Sequence, residues 1–262
     1  MKVNLYTVCY NESDIIPFCI QYWEQMRNDG IDLNVVVWDN CSTDNSVKML
    51  SKYDWIRIEM FNTNNEMNDK VLALMRNSIW MEAKSDKKVD YVIVCDMDEL
   101  MYSKNWLEEL NEMKRQQRNI MANQWFCLIG DSVPKLDNNQ LLHQQIKYAY
   151  KQRINHDPRY SNFGKFILFD PHKIDTMNYS VGSHICNPKP DMKLYYTKNV
   201  HTFHINKNFG IDYKYEQTHK QFKRLSQDNL NGGMCLEYGN SFEQMKKEYD
   251  ENKSKAINIE TL

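Results

Sequence analysis

Short apolar runs alternate with amphipathic stretches through the first half of the chain. Val3 to Cys9 is apolar and partly β-branched, which predicts a buried strand. Ser13 and Asp14 then offer an N-cap. Ile15, Ile16, Cys19, Tyr22, Trp23 and Met26 recur at helical spacing until Gly30 ends the helix. Leu33 to Trp38 predicts a second strand, and Ile56 to Phe61 a third. Between them, a helix over 45–52 is capped by Ser42 or Asp44. Asp69 to Lys84 carries Val71, Leu74, Met75, Ser78 and Ile79 along one face, the mark of a longer helix. The run Val89 to Cys95 is almost wholly apolar, as a strand covered on both faces must be.

This order predicts an α/β fold: a mainly parallel sheet, right-handed crossovers and helices on both faces. Ligands of such sheets bind beyond the carboxyl ends of the strands. Tyr10-Asn11-Glu12, Asp39-Asn40 and Asp96-Met97-Asp98-Glu99 each follow a strand directly, so three distant segments should converge on one crevice. The second half predicts a mixed α+β arrangement. Trp106, Leu107, Leu110 and Met113 mark a helix, and Ile120 to Ile129 a strand. Asp131 to Ser161 is polar and loop-rich, suited to a lid or an acceptor-binding insertion. Phe166 to Phe169 and Leu194 to Phe203 read as strands, and Ile211 to Gln227 as a helix. Ser241-Phe242-Glu243-Gln244 is a capping box for a last helix, after which a frayed tail is expected beyond Lys253. No repeat, low-complexity segment or linker interrupts the chain, so residues 1–130 and 131–262 form two halves of one continuous domain.

With 262 residues and 42% hydrophobic content, the chain can bury one large core. A formal net charge of -2 lacks the basic excess of a nucleic-acid binder. No apolar run is long enough to span a membrane. Met1 to Tyr6 leads into a strand pattern without the features of a signal peptide. The seven cysteines are scattered and contain no Cys-x-x-Cys pair, which disfavours a zinc site or a disulfide framework. A reducing, cytoplasmic setting is the expectation.

Asp96 and Asp98, at i and i+2 leaving a buried strand, can face one point of the crevice. Hard carboxylate oxygens of this kind suit Mg²⁺ or Mn²⁺, which would neutralise a departing nucleoside diphosphate. Alone, Asp-x-Asp is more often a solvated turn. The neighbouring clusters add weight. Tyr10 and Glu12 lie where backbone N–H groups and side chains can meet a nucleotide, and Asp39 can accept from the imide N–H of uracil. Arg76 can reach a base or phosphate, against the plainer reading of a surface ion pair. Lys165, Lys207, Lys214 and Arg224 can supply positive charge to a diphosphate, although a solvated helix face explains Lys214 and Arg224 equally well.

The ordered series Tyr10-Asn11-Glu12, Asp39-Asn40-Cys41-Ser42-Thr43-Asp44, Arg76-Asn77 and Asp96-Met97-Asp98-Glu99 resembles glycosyltransferase family two and its near relatives. The likeness covers roughly the first 130 residues, the length of a nucleotide-binding half. It implies a GT-A fold, Rossmann-like in its sheet, with the nucleotide sugar bound by residues 1–130 and the acceptor by 131–262. It further implies inversion at the anomeric carbon, uracil on Asp39, ribose or metal on Asp96, and metal on Asp98. Lys165 to Phe169, Gly182-Ser183-His184, Val200 to His204, and Arg224-Leu225-Ser226 with Gly232-Gly233 resemble a bacterial branch that builds surface polysaccharides. By that likeness His204 reaches the metal or diphosphate, while His201 falls on the opposite face of its strand. The implied donor is a UDP-sugar. The implied acceptor is a glycan or a lipid-linked glycan, compatible with peripheral contact at the inner face of the membrane.

Inversion needs a base for the acceptor hydroxyl. Many family-two enzymes use an aspartate of a Glu-Asp pair, and this chain contains no such pair. Asp131 is the first candidate and His184 the second, with His184 alternatively shaping the donor-sugar pocket. A nucleotidyltransferase would place a glycine-rich basic loop after the first strand, where this chain has Tyr10-Asn11-Glu12-Ser13-Asp14. A catalytically inactive sugar- or partner-binding domain is the remaining alternative.

Overall fold

A computed structural model describes residues 1–151 and 155–260. The first half runs β1 (Lys2–Cys9), α1 (Ile16–Asn28), β2 (Asp32–Asp39), α2 (Ser46–Leu50), β3 (Ile56–Met60), α3 (Asp69–Ser78) and β4 (Tyr91–Asp96). The middle contributes β5 (Glu99–Ser103), α4 (Trp106–Arg115), β6 (Ile120–Leu128), α5 (Leu142–Ile146), β7 (Tyr148–Tyr150) and β8 (Leu168–Phe169). The chain ends with β9 (Leu194–His204), α6 (Ile211–Phe222), α7 (Gln227–Asn231), α8 (Phe242–Ser254) and β10 (Ile257–Asn258). The mainly parallel part of the sheet is the core expected from the sequence: β1 pairs in parallel with β2 and β4, and β2 with β3. Beyond β4 the sheet becomes mixed. β8 is antiparallel to β4 and β6, β9 runs parallel to β6, and β5 is antiparallel to β9.

Strand alternation divides the apolar residues between two cores. Leu5, Val35, Val37, Ile93 and Cys95 pack on one face, with Phe18, Cys19 and Trp23 of α1 and Leu110 of α4. Tyr6, Val36, Val92 and Val94 pack on the other, with Trp80 and Phe169. Covering both faces explains why β4 needs an almost unbroken apolar run. Among the described residues, no helix is long and apolar enough to cross a membrane, and no disulfide joins any of the seven cysteines.

Several local expectations are corrected. Ser13 and Asp14 do not cap α1, which begins after Ile15 without a side-chain cap. Instead the loops after β1 and β2 brace each other. The N–H groups of Asn11, Glu12 and Ser13 donate to Ser42 Oγ, Ser46 Oγ and Asp44 Oδ2 at 2.8, 2.8 and 3.0 Å. Those N–H groups are therefore spent inside the protein. The long third helix ends at Ser78 and continues as a short 3-10 turn over Met81–Lys84. Its expected apolar face is buried only in part: Ile79 and Met75 join the second core, whereas Leu74 is 70% exposed and Arg76 turns inward. The tail beyond Lys253 is not frayed throughout: β10 pairs with β7, and residues 261–262 lie outside the described residues. Part of the polar segment 131–161 also lies outside them.

Candidate functional site

Strand register sets the floor of the cleft. Cys9 pairs with Asp39, Val8 with Asp96, and Asp39 with Met60, so β1 to β4 end at one level. From the other side, Glu99 pairs with His204, and the Ile205 N–H donates to the Asp98 carbonyl at 2.9 Å. The end of β9 is thereby fixed beside the Asp-x-Asp turn. A cleft of about 450 Å³ lies over this floor. Tyr10, Glu12, Asn40, Arg76, Asp96, Asp98, Lys165, His184, His204 and Lys207 all line it.

The two aspartates have different partners. Asp96 Oδ1 accepts from Arg76 Nε at 3.0 Å and is also ion-paired with Nη2, while Oδ2 meets Lys165 Nζ at 3.2 Å. Lys165 also contacts Glu99 at 2.5 Å, and Glu99 Oε2 accepts the Asp96 N–H at 3.0 Å. Burial alone would raise the Asp96 carboxyl, but the charges of Arg76 and Lys165 outweigh it and push it far below the ordinary range. Burial raises Glu99 against the pull of Lys165. Both oxygens of Asp96 are thus committed to cations of this chain. Arg76 and Lys165 are likewise committed, which corrects the expectation that they reach freely for phosphate. The arginine is a buried partner, not a surface ion pair.

Asp98 faces His204, with Oδ2 and Nε2 3.3 Å apart. Burial would raise Asp98, but the adjacent imidazolium lowers it to about 2. Burial would lower His204, yet Asp98 holds it up at about 10. Glu12 is raised by burial to about 8, opposed by Lys207. Among the described residues, no group of three or more His, Cys, Asp or Glu side chains is arranged to hold a metal. Asp98 and His204 remain as a carboxylate–imidazole pair at the spacing that two ligands of one divalent ion adopt.

Other expected residues fall elsewhere. Asp39 is fully buried, and its Oδ1 and Oδ2 accept from the Ser42 hydroxyl and N–H at 2.6 and 2.8 Å. It orders the turn after β2 rather than facing the cleft, as aspartates do in Asx turns. Its neighbour Asn40 lines the cleft, locked to Thr63 by hydrogen bonds of 2.8 and 3.0 Å. Asp131 is not brought to the cleft: its carboxylate is 82% exposed and ion-paired with Lys253 of α8. β6 itself runs parallel to β9, with Cys127 opposite His204, and it is the residues beyond the strand that carry Asp131 out to α8. His184 does line the cleft, its ring stacked on His156. His201 is buried against Phe126 and Phe203, as strand alternation requires.

A roof completes the site, lined by Gln221, Arg224, Met234, Cys235, Glu237 and Tyr238. Arg224 lies 3.2 Å over the Tyr10 ring and donates to the Asn65 carbonyl at 3.0 Å. Asn229 donates to Asp69 Oδ2 at 2.9 Å and accepts the Asp69 N–H at 3.0 Å, tying α7 to the start of α3. No local pattern announces the Asp69–Asn229 pair, since 160 residues separate its members.

A family model described as glycosyl transferase family 2 matches residues 5–174. No curated protein matches the chain. Among solved structures, S. aureus TarS 1-349 overlays with a TM-score of 0.49 at 12% identity, covering 92% of this chain and 71% of that one. The same protein in complex with UDP-GlcNAc gives 0.46 at 11%, covering 84% and 65%. Against the S. aureus TarS structure matched over only 38% of its length, the TM-score is 0.44 at 14% identity, with 84% of this chain covered.

Proposed function

The chain belongs to glycosyl transferase family 2, and from that premise we propose that it moves a sugar from a UDP-sugar to a glycan or lipid-linked acceptor with inversion. The single observation that carries this reading is the Asp98–His204 pair on a cleft floor shared with Lys207 and the ends of β1 and β4. Asn40, Phe61 and Thr63 flank the end of the cleft suited to the base. Lys207 and Arg224 line the middle, where a diphosphate needs positive charge. Asp96 acts indirectly: it holds Arg76 and Lys165, which line the cleft, in one arrangement.

The donor set fits Mn²⁺ or Mg²⁺, which take few protein ligands and share substrate oxygens and water. Asp98 and His204 would hold the ion, and when bound it supplies charge to the departing diphosphate. His204 must yield the proton it holds beside Asp98, so metal uptake releases a proton. With Asp131 outside the cleft, His184 is the base. It takes the proton of the acceptor hydroxyl as that oxygen bonds to C1. The C1–O bond to phosphate breaks, and its electron pair leaves with UDP. UDP release from UDP-sugars tests the reading: turnover should stop in EDTA and return with Mn²⁺. Undiminished turnover in EDTA would refute the metal role.

A further inference from the structure

We propose that His156 is a positioning residue for His184, and that with Gly182 it forms a slot holding that imidazole over the cleft. The proposal rests on the reading of His184 as the base. The two rings stack with centroids 4.4 Å apart and planes 12° from parallel. The backbone repeats the link, since the His156 N–H donates to the His184 carbonyl at 3.0 Å. At the Cδ2–Nε2 edge of His184 stands Gly182, at φ 68° and ψ 0°. A Cβ there would lie 2.6 Å from Cδ2 and 2.8 Å from Nε2, inside contact distance. The position therefore demands glycine twice, for its left-handed backbone and for the space its missing side chain leaves.

Both walls of the slot are anchored. Residues 180–185 close on themselves: the Ser183 N–H donates to the Ser180 carbonyl at 2.9 Å, and the Ile185 N–H to Ser180 Oγ at 3.1 Å. On the other side, buried Asn155 donates to the Gly164 carbonyl at 3.2 Å and accepts the Asp157 N–H at 3.0 Å. Gly164 directly precedes Lys165, the cation on Asp96, so the slot is joined to the charged floor. An unsupported histidine rotates about two side-chain torsions, and a base displaced by about 1 Å loses on the order of 100-fold in rate. A flat neighbour and a glycine edge remove that freedom without touching the substrate.

Two substitutions at one position separate stacking from bulk. His156→Ala should lower kcat by about 100-fold with the donor KM unchanged, while His156→Phe, which keeps a flat ring, should restore kcat to within about threefold of the parent. Gly182→Ala should behave like His156→Ala. The ring itself is read by the His184 imidazole resonances, which should broaden in His156→Ala and Gly182→Ala but stay sharp in His156→Phe. If the resonances stay sharp in His156→Ala, or if Phe and Ala fail equally in kcat, the positioning role is overturned. If His184→Ala turns over at the parent rate, the base reading falls instead, and the resonances alone decide whether the slot exists.

Discussion

The floor of the cleft and its roof hold their charged groups in different ways. On the floor, Asp96 is clamped between Arg76 of α3 and Lys165, and Asp98 faces His204, with Asp96 and His204 closing strands whose other residues form the two cores. In the roof, α7 has five residues and α6 buries only Thr218. The roof is held by the Arg224–Tyr10 stack, the Asp69–Asn229 pair and a strand-like bridge between Met67 and Leu225. Segments with little apolar burial open at lower free energy than the core. The difference teaches where rigidity is spent: the floor's charges are held by the sheet and its packed helix, while the roof rests on a few polar contacts.

Breaking the floor has the largest expected effect. On the proposed metal role of Asp98, Asp98→Ala should cut turnover by on the order of 1000-fold while the melting temperature barely moves. Asp96→Ala should lose both, since it leaves Arg76 and Lys165 buried without their shared partner. Chemical denaturation should show a loss of about 3–5 kcal/mol. A normal melting temperature in that variant would mean the two cations do not depend on Asp96.

The core behind the floor carries a pH signature that the roof lacks. Burial lowers His143 and His201 to about 4, helped at His143 by the charge of His201 and at both by that of Lys104. Their folded values lie below the unfolded value near 6.5. The stability they contribute is therefore fully present above pH 6.5 and is lost as pH falls towards 4. Each should contribute a loss of up to about 3 kcal/mol across that window, read by urea unfolding at successive pH values. His143→Phe should flatten the curve.

The roof gives the smallest effect. Arg224→Ala should raise the donor KM about tenfold, near 1.4 kcal/mol, with kcat little changed and folding stability within about 0.5 kcal/mol. If it instead unfolds the protein, roof and floor are not separable.

The first four strands and the three strand-end clusters were legible because they follow from local alternation, and their convergence follows from parallel topology. Partner choice was not legible. Asp39 resembles a base-binding carboxylate in sequence, but Ser42, three residues on, takes both its oxygens. Asp131 follows a strand as Asp96 does, yet it lies three residues beyond β6 and is taken by Lys253 of α8. Arg76 could be placed on its helix but not paired, because turning it inward depends on a lysine 89 positions away that shares Asp96. Glu99 stood within the acidic run, and only its long-range contact with Lys165 gives it a part. In the roof, Arg224-Leu225-Ser226 and Gly232-Gly233 stood out by resemblance alone, because the roof's contacts join polar residues far apart in the chain.

Calorimetric titration of UDP, with and without Mn²⁺, into the parent protein and Asp98→Asn addresses the central claim most directly. Binding by the parent should tighten at least about tenfold with Mn²⁺, and the variant should show no such gain. Equal UDP affinity in all four titrations would contradict a cation shared between Asp98, His204 and the diphosphate.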